Sequence, residues 1–496
     1  MTLQGNKAGL ARGIRPPSRR LGEPGLWPLV AAFFGGLVLH TMGIVGQAVA
    51  LLGLLFLVLH LFRLALQGQR WSYQSALILG CLVNAEVFIR DFAMRALPAG
   101  YLAVEYLVIL LGLASFPAII ARHRSLVVSA PVIIFLCICL WDSLGLFYSE
   151  DLLDGRITTG LHWAGLACLL LGAVAFAGED TRRGLLDGII LGTFLSLGVM
   201  LRQTLKASYG MEMDSGFRFG HALVSAVQVG IVLTTGMLAC LLKLISGYGK
   251  PRHALISLAL LAPFCIATFS RGPLLAFFLA GLCLSLYRRR SRGWWKLPVA
   301  GLLLAVAALV VMWALPANFN SRYQELQGAD ERGRIWRVVG EMWKQSPIIG
   351  YGPGSWFVVY PRFAANAERA PGTISDAHNF IFQAAADGGA VGVGLFVLFL
   401  AALMYRIVRA RSAMGLALFV FIFVSASLAN FKLSVLFLLL GAGLGDCLAP
   451  GRLLGQKRFP AGVRARPWPA VAAGRRLVPR QFNYPRKRRP PAPFRA

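Results

Sequence analysis

The chain has 496 residues, of which 57% are hydrophobic and 14% are charged, and its mean hydropathy is +0.65. Ordinary soluble domains carry about 25% charged residues, so this composition excludes a water-soluble enzyme and predicts a protein that crosses a membrane many times. The net charge of +29 does not indicate nucleic-acid binding, because much of the excess lies in the two terminal tails.

Apolar segments separated by charged clusters and by Gly or Pro breaks predict the membrane-spanning helices. A helix needs about 20 predominantly apolar residues to cross a bilayer. By this rule the fold class is all-α, a polytopic integral membrane protein with about fourteen transmembrane helices. The predicted spans cover residues 28–45, 47–64, 75–90, 100–120, 127–148, 160–177, 184–201, 221–245, 254–269, 273–287, 297–315, 389–407, 413–429 and 432–449.

The distribution of lysine and arginine predicts the orientation of these spans. Cytoplasmic loops carry an excess of both residues, and one set of alternate loops collects most of them. An even number of spans places both termini on that cytoplasmic side. The cations of this set include Arg63, Arg70, Arg122, Arg124, Arg182, Arg183, Lys250, Arg252, Arg288, Arg292, Arg406, Arg409 and Arg411.

This topology divides the chain into five parts. Residues 1–26 form a basic cytoplasmic tail, 27–315 hold spans one to eleven, 316–388 form a long loop on the non-cytoplasmic side, and 389–449 hold the last three spans. Residues 450–496 are rich in Pro and Arg and poor in bulky aliphatics, so we expect a disordered tail. Attraction to anionic membrane lipids is the simplest role for that tail, with a specific partner as the alternative.

The long loop contains one amphipathic helical pattern, which begins near Asp330. Apolar residues at helical spacing occupy one face and charged residues the other, as in a helix that lies along a membrane or protein surface. The apolar positions are Ile335, Val338, Val339 and Met342, and the charged ones are Arg334, Arg337, Glu341 and Lys344.

Four arginines are predicted to gather on the non-cytoplasmic face. Arg202 and Arg218 flank the loop between spans seven and eight, Arg271 occupies the tight turn between spans nine and ten, and Arg334 lies in the long loop. The planar guanidinium matches phosphate oxygens in pairs, which favours a site for a phosphate-bearing ligand. Arginines at helix ends also reach lipid phosphates, and this alternative is as good as the first for Arg202.

Two histidines stand at the same face and are candidates for a general base. His221 opens span eight near Arg218, and His378 precedes the return of the chain into the membrane. Histidine titrates near neutral pH and suits this role, although position alone favours a structural role for both. The eight cysteines lie in apolar stretches without the paired spacing of a zinc site, so no metal site is expected.

Acidic residues within the predicted spans keep a transporter or flippase as a different class of function. Ionisable groups inside spans often mark ion or proton pathways. Most of them lie toward span ends, and the sequence lacks the repeated halves with broken helices typical of secondary transporters. These acids are Glu86, Glu105, Asp142 and Asp187.

Several fragments in fixed order resemble the O-antigen ligase and polymerase superfamily. The resemblance covers about residues 200–410 and is carried by an arginine motif, a Ser-Arg-Gly turn, an Arg before a Trp, a Pro-x-x-Gly-x-Gly turn, an Ala-His-Asn and a Gly-x-x-Gly. These fragments are Phe217–Gly220, Ser270–Gly272, Gly333–Trp336, Pro347–Gly352, Ala377–Asn379 and Gly389–Gly392. The chain departs from the family at His221–Leu223, which replaces a small polar or Pro-Asn element, and in span number, since family ligases have about twelve.

The resemblance implies a glycosyltransferase of the bacterial inner membrane with its active site on the periplasmic side. The donor would be a glycan on undecaprenyl diphosphate, and the acceptor lipid A core or a second glycan. Arg218, Arg271 and Arg334 would stabilise the departing diphosphate in place of a metal, and no cofactor is implied. His378 would be the base, with His221 as its competitor.

The remaining assignments are less specific. Arg202 is a further candidate for diphosphate binding, while Asp376 and Asn379 would orient the imidazole or the acceptor. A ligase leads narrowly over an O-antigen or exopolysaccharide polymerase, because the shared motifs describe the donor side. A protein-glycosylating member is the third alternative, and a transporter or flippase the fourth.

Overall fold

The structure is a computed structural model that describes residues 26–67, 71–86, 88–89, 103–210, 226–268, 270–287, 331–364, 376–429 and 434–448. Within these ranges the regular elements are helices, and none is a strand. They are α1 (Leu26–Thr41), α2 (Gly43–Leu66), α3 (Tyr73–Asn84), α4 (Ala103–Val127), α5 (Ala130–Gly145), α6 (Leu152–Ala177), α7 (Glu179–Gly210), α8 (Ala226–Ser246), α9 (Pro251–Ala267), α10 (Arg271–Tyr287), α11 (Glu331–Gln345), α12 (Trp356–Ala364), α13 (Phe380–Ala410), α14 (Ala413–Ala429) and α15 (Ser434–Leu448).

Five of the described helices are long and apolar enough to cross a membrane. They contain the segments Val104–Val127, Leu152–Ala177, Glu179–Arg202, Val227–Ser246 and Phe380–Ala410. Eight further described helical segments are apolar but only 10–17 residues long. The all-helical membrane class is therefore supported, while the count of fourteen spans stays a prediction. The span predicted at residues 297–315 lies outside the described residues. The same is true of residues 1–25 and 450–496 of the two basic tails.

Large apolar side chains on the outside of the bundle fit a lipid environment. Phe56 is 71% exposed on α2, Leu113 65% on α4 and Leu398 56% on α13. In water such a surface would be an aggregation hazard. Facing lipid tails, the same side chains cost nothing, so the exposed leucines and phenylalanines mark the faces of these helices that meet the bilayer.

Helix ends differ from the predicted spans where polar residues extend a helix beyond its apolar stretch. The sixth predicted span began at residue 160, whereas α6 begins at Leu152. The carboxylate of Asp151 accepts hydrogen bonds from the backbone amides of Leu153 and Asp154, each at 3.1 Å, and so caps the helix. Capping allows two polar turns to precede the apolar part. Likewise, the break between α1 and α2 falls at Met42 rather than at Gly46.

Helix α13 begins nine residues before the predicted span, and a kink separates these nine residues from the rest of the helix. Asn379 caps its start, and Gly389 interrupts it with φ +60° and ψ −151°. The span predicted to begin at residue 389 is the part of α13 that follows this kink. The turn of helix before it belongs to the site described below.

Small residues in the interior let the backbones of neighbouring helices approach each other closely. A Cβ atom added to Gly172 on α6 would meet the carbonyl oxygen of Leu438 on α15, and one added to Gly441 would meet that of Leu169. Small residues at helix contacts are typical of membrane bundles, where close packing replaces the hydrophobic driving force. This contact holds α6 and α15 in the centre of the bundle.

A polar cluster defines one end of the bundle, which we call the Arg182 end. The Arg182 guanidinium lies 3.5 Å from the Asp446 carboxylate and donates to the Tyr248 hydroxyl at 3.4 Å, and Ser412 donates to the same Asp446. Thus α7 and α14 begin here, and α8, α13 and α15 end here. The start of α13 lies at the opposite end, which we call the His378 end.

Candidate active site

The loop before α13, residues Asp376–Asn379, presents His378 beside a buried carboxylate. Oδ1 of Asp376 accepts the backbone N–H of His378 at 2.8 Å and lies 3.0 Å from its Nδ1. The Asp376 side chain is 7% exposed and the His378 side chain 40%. The imidazole is therefore accessible on one side and held by a fixed carboxylate on the other.

The backbone of His378 adopts a conformation that is uncommon for a residue with a side chain. Its φ is +50°, in the left-handed region. Asp376 holds this turn by accepting the backbone amide two residues on, a common use of aspartate in tight turns. A left-handed backbone at a residue other than glycine is strained, and functional sites commonly retain strain of this kind.

Asn379 attaches the loop to two helices. Its side-chain oxygen accepts the amide of Ile381 at 2.8 Å and caps α13, while its amide donates to the Ser427 carbonyl on α14 at 3.2 Å. These contacts go to backbone groups. Of the two residues predicted to orient the imidazole or the acceptor, Asp376 touches the imidazole and Asn379 fixes the loop.

The amphipathic helix predicted in the long loop is confirmed as α11. Its four apolar positions are at most 3% exposed, and they pack with α12 and the start of α13 rather than facing solvent. Trp336 stacks on Phe382 with ring centroids 5.0 Å apart, and its Nε1 donates to the Ala377 carbonyl at 3.1 Å. Arg334, two residues before Trp336, is exposed on this helix.

The Pro-x-x-Gly-x-Gly turn joins the kink of α13 through its backbone. The amides of Tyr351 and Gly352 donate to the carbonyls of Ala386 and Asp387 at 3.0 and 2.9 Å. These carbonyls are available because Gly389 breaks the helical hydrogen bonding two to three residues later. The Pro-x-x-Gly-x-Gly turn and the Gly-x-x-Gly segment are thus paired through their backbones, and we call this pair the glycine joint.

A second set of contacts holds this turn from the side of α5 and α6. Ser149 donates to the Pro353 carbonyl at 2.9 Å, and Tyr148 donates to the Ile349 carbonyl at 3.1 Å. Burial raises the pKa of the Tyr148 hydroxyl, and the charges of Asp142 and Asp387 raise it further. Tyr148 therefore keeps its proton as a donor at physiological pH.

Tyr351 in the turn has a similar environment. Burial raises the pKa of its hydroxyl, and the Glu150 carboxylate adds to this effect, while Arg362 opposes it. Arg362 forms an ion pair with Glu150 at 2.5 Å. Neither tyrosine is therefore an anion that could act as a base near this turn.

Two of the predicted arginines lie at the same end as His378. Arg202 follows Arg182 by twenty helical residues, which spans about 30 Å at 1.5 Å per residue and leads to the opposite end. Arg271 is the first residue of α10, and the turn before it contacts Gly230 near the start of α8. Arg218 and His221 lie outside the described residues. The roles predicted for these four residues stay predictions.

Next to the His378 loop lies a cavity of about 390 Å³ enclosed by α5, α6, α12 and α13. Phe380 and Ala384 of α13 are among its lining residues, which places it at the His378 end. The Asp142 carboxylate contacts Nδ1 of His162 inside it. The polar lining comprises Asp142, Asp154, Thr158, His162, Gln383 and Asp387.

Sequence reasoning missed this cavity as a site. Asp142 stood out as an acid within a span, and Asp387 belongs to the glycine motif at the kink, but nothing in the sequence joined them. His162, Asp154 and Gln383 carried no signal of their own, since only packing brings α5, α6 and α13 together. Among the described residues no group of His, Cys, Asp and Glu is arranged to hold a metal ion.

Comparison with known proteins finds a family model that matches part of the chain. The O-antigen ligase family model matches residues 256–397, which include α10, α11 and α12 and most of α9 and α13. The match contains the Arg271 turn, the Pro-x-x-Gly-x-Gly turn and the His378 loop. No curated protein matches the chain.

The bundle of apolar helices and this match indicate a membrane enzyme of the O-antigen ligase or polymerase type. The resemblance to the O-antigen ligase superfamily, carried in the sequence by short motifs, is confirmed. Such a family implies in general a lipid-linked glycan and an acceptor.

Proposed function

We propose that the chain is an O-antigen ligase-like glycosyltransferase of the bacterial inner membrane. It would move a glycan from undecaprenyl diphosphate to a sugar hydroxyl of lipid A core on the periplasmic side. One observation carries the proposal: within the family-matched segment, His378 is exposed beside the buried Asp376 carboxylate. A hydroxyl acceptor needs a base in this setting.

The reaction is a single displacement at the anomeric carbon. The acceptor oxygen forms a bond to that carbon as the bond to the diphosphate oxygen breaks, and the acceptor proton passes to His378. Negative charge grows on the diphosphate, and arginines can stabilise it through paired hydrogen bonds. Arg271, Arg218, Arg334 and Arg202 are the residues proposed for this task, and attack from the opposite side inverts the anomeric centre.

The first test replaces His378. Asparagine tolerates the left-handed conformation but is no base, so His378→Asn keeps the backbone and removes the chemistry. We expect transfer by purified protein in nanodiscs, with native undecaprenyl-diphosphate glycan as donor, to fall by about 10²–10⁴-fold. Near-normal transfer would contradict the assignment and favour His221.

The diphosphate assignment has a test that separates charge from geometry. Arg271→Lys keeps a positive charge and loses the planar fork, so an enzyme that uses paired phosphate contacts should lose turnover. Arg252→Lys, in the first turn of α9, is the matched control, because Arg252 lies at the opposite end of the same two-helix unit. Equal activity of the two variants would remove Arg271 from the site.

A polymerase of O-antigen or exopolysaccharide is the alternative, because the motifs concern the donor. Deleting the gene and analysing lipid A core and undecaprenyl-linked glycans by mass spectrometry distinguishes the two. Long polymer left on the carrier with bare core indicates a ligase. Core capped by a single repeat, or single repeats left on the carrier, indicates a polymerase.

A further inference from the structure

We infer that the cavity between α5, α6, α12 and α13 is a saccharide-binding subsite, which takes a neutral sugar ring of the donor or the acceptor glycan. The inference rests on the proposed function for its choice of glycan. The cavity itself, with Asp142, His162, Asp387 and Trp141 in its wall, is an observation independent of that function.

The size and lining of the cavity suit a sugar. Its volume of about 390 Å³ falls within the roughly 300–1,000 Å³ of small-molecule pockets. Trp356, Phe357 and Phe380 supply aromatic walls, and Phe357 is 48% exposed, so that wall continues to the molecular surface. A pyranose ring has apolar faces for such walls and a rim of hydroxyl groups for polar ones.

The charge of the cavity excludes the diphosphate as its ligand. Three carboxylates, those of Asp142, Asp154 and Asp387, line it, and its described lining contains no lysine or arginine. A diphosphate would meet like charges in a partly buried site, which is strongly unfavourable. Carboxylates accept hydrogen bonds from sugar hydroxyls, so a hydroxyl-rich, phosphate-free group fits the same lining.

Trp141 supplies a donor that points to a ligand. Its Nε1 is buried and has no hydrogen-bond partner among the described residues. Buried donors usually find a partner, because leaving one unpaired costs about 1–3 kcal/mol. A Cβ atom added to Gly388 would lie 3.1 Å from this nitrogen, so Gly388 lies directly beside the indole N–H.

One side chain connects this cavity to the His378 loop. Gln383 lines the cavity, and its Oε1 accepts the amide of Ala377, the neighbour of His378, at 3.0 Å. A glycan bound in the cavity would therefore contact a side chain that is hydrogen-bonded to the neighbour of the proposed base.

The test measures binding without transfer. The three probes are core oligosaccharide, repeat-unit oligosaccharide and inorganic diphosphate. Both oligosaccharides are released from the native cells and freed of phosphate by hydrofluoric acid. Calorimetry and saturation-transfer NMR on the full chain in detergent give the Kd. We expect one oligosaccharide to bind and diphosphate not to displace it; the core indicates an acceptor subsite and the repeat unit a donor subsite.

Two cavity variants and two controls locate the binding. Trp141→Phe keeps a ring and removes the N–H, and should raise the Kd of the bound oligosaccharide about 2- to 12-fold. Gly388→Ala places a methyl group 3.1 Å from Nε1 and should weaken binding independently. Trp71→Phe and Asp180→Asn, which lie at the Arg182 end of α3 and α7, should leave the Kd unchanged.

The results separate the inference from the proposed function. Binding by neither oligosaccharide, equal Kd values in wild type and both cavity variants, or displacement by diphosphate would overturn the subsite. A protein that transfers glycan but gives any of these results keeps its function and loses the subsite. A protein that binds the oligosaccharide through Trp141 but never transfers it keeps the subsite and loses the function.

Discussion

The side-chain amide of Gln383 donates a hydrogen bond to Oδ2 of Asp387 at 2.9 Å. The same side chain accepts the amide of Ala377 through its oxygen, so it needs both a donor and an acceptor group. It joins the loop that carries His378 to the kink of α13, one turn further along. Gln383 therefore contacts both the loop that carries the proposed base and the glycine joint.

Replacing Gln383 should uncouple these two parts. Gln383→Ala removes both hydrogen bonds, each worth about 0.5–1.5 kcal/mol, so we expect kcat for glycan transfer to fall about tenfold. Gln383→Glu should be at least as harmful, because its carboxylate would face that of Asp387. Gln345→Ala, at the exposed end of α11, is the control. If Gln383→Ala matches it in kcat, the link has no role in transfer.

Asp376 is expected to act through His378 as a positioning residue. Asp376→Asn weakens the contact with the imidazole Nδ1 at 3.0 Å, and we expect kcat to fall about 10- to 100-fold with little change in KM for the donor. The double variant Asp376→Asn, His378→Asn should be no worse than His378→Asn alone, since residues that act as a unit are not additive. Additive losses would show that Asp376 has a separate role.

The kink at Gly389 should be required for a stable joint. A side chain is strained at φ +60° and ψ −151°, a region that only glycine enters easily. Its Cβ would also lie 2.7 Å from the Gly350 amide nitrogen in the facing turn. Gly389→Ala should lower the Tm in detergent and abolish transfer.

The matched control lies on the same helix. Gly394 is helical, and a Cβ atom added there would meet nothing within 4 Å. Gly394→Ala should therefore leave the Tm unchanged or raise it, because alanine is the better helix former by about 1 kcal/mol. A Tm for Gly389→Ala equal to that of Gly394→Ala would contradict the importance of the kink.

The sequence predicted the helical membrane class, the amphipathic α11 and the superfamily, because these depend on local periodicity and short motifs. Ile335 and Val339 could be assigned to a buried face from spacing alone. It did not predict that the Pro-x-x-Gly-x-Gly turn pairs with the kink of α13, since the amides of Tyr351 and Gly352 donate to the backbone carbonyls of Ala386 and Asp387, and such bonds leave no trace in the side-chain pattern.

The cavity was missed for a different physical reason. Asp142 stood out as an acid within a span and His162 carried no signal of its own, and only the packing of α5 against α6 brings them together. Spacing along a chain cannot give that contact, because the two helices are joined by a turn with no periodic relation to either. The contact of Gln383 with the Ala377 amide likewise depends on the fold of the loop, although Asp387 lies four residues after Gln383, at ordinary helical spacing.

The buried ion pair between Lys243 on α8 and Asp187 on α7 should stabilise the fold far more than the exposed pair between Lys344 and Glu341 on α11. The side chains of the first pair are 14% and 6% exposed, and those of the second 73% and 60%. Breaking a buried pair leaves an uncompensated charge and costs about 3–5 kcal/mol, whereas solvent screens an exposed pair. Asp187→Asn should therefore lower the Tm strongly and Glu341→Gln hardly at all. The double variant Asp187→Asn, Lys243→Met should recover much of the lost Tm, because it removes the unpaired charge of Lys243. The Tyr73 hydroxyl also donates to Asp187, at 2.8 Å. If the double variant unfolds at the same temperature as Asp187→Asn, the destabilisation comes from this hydrogen bond and not from the ion pair.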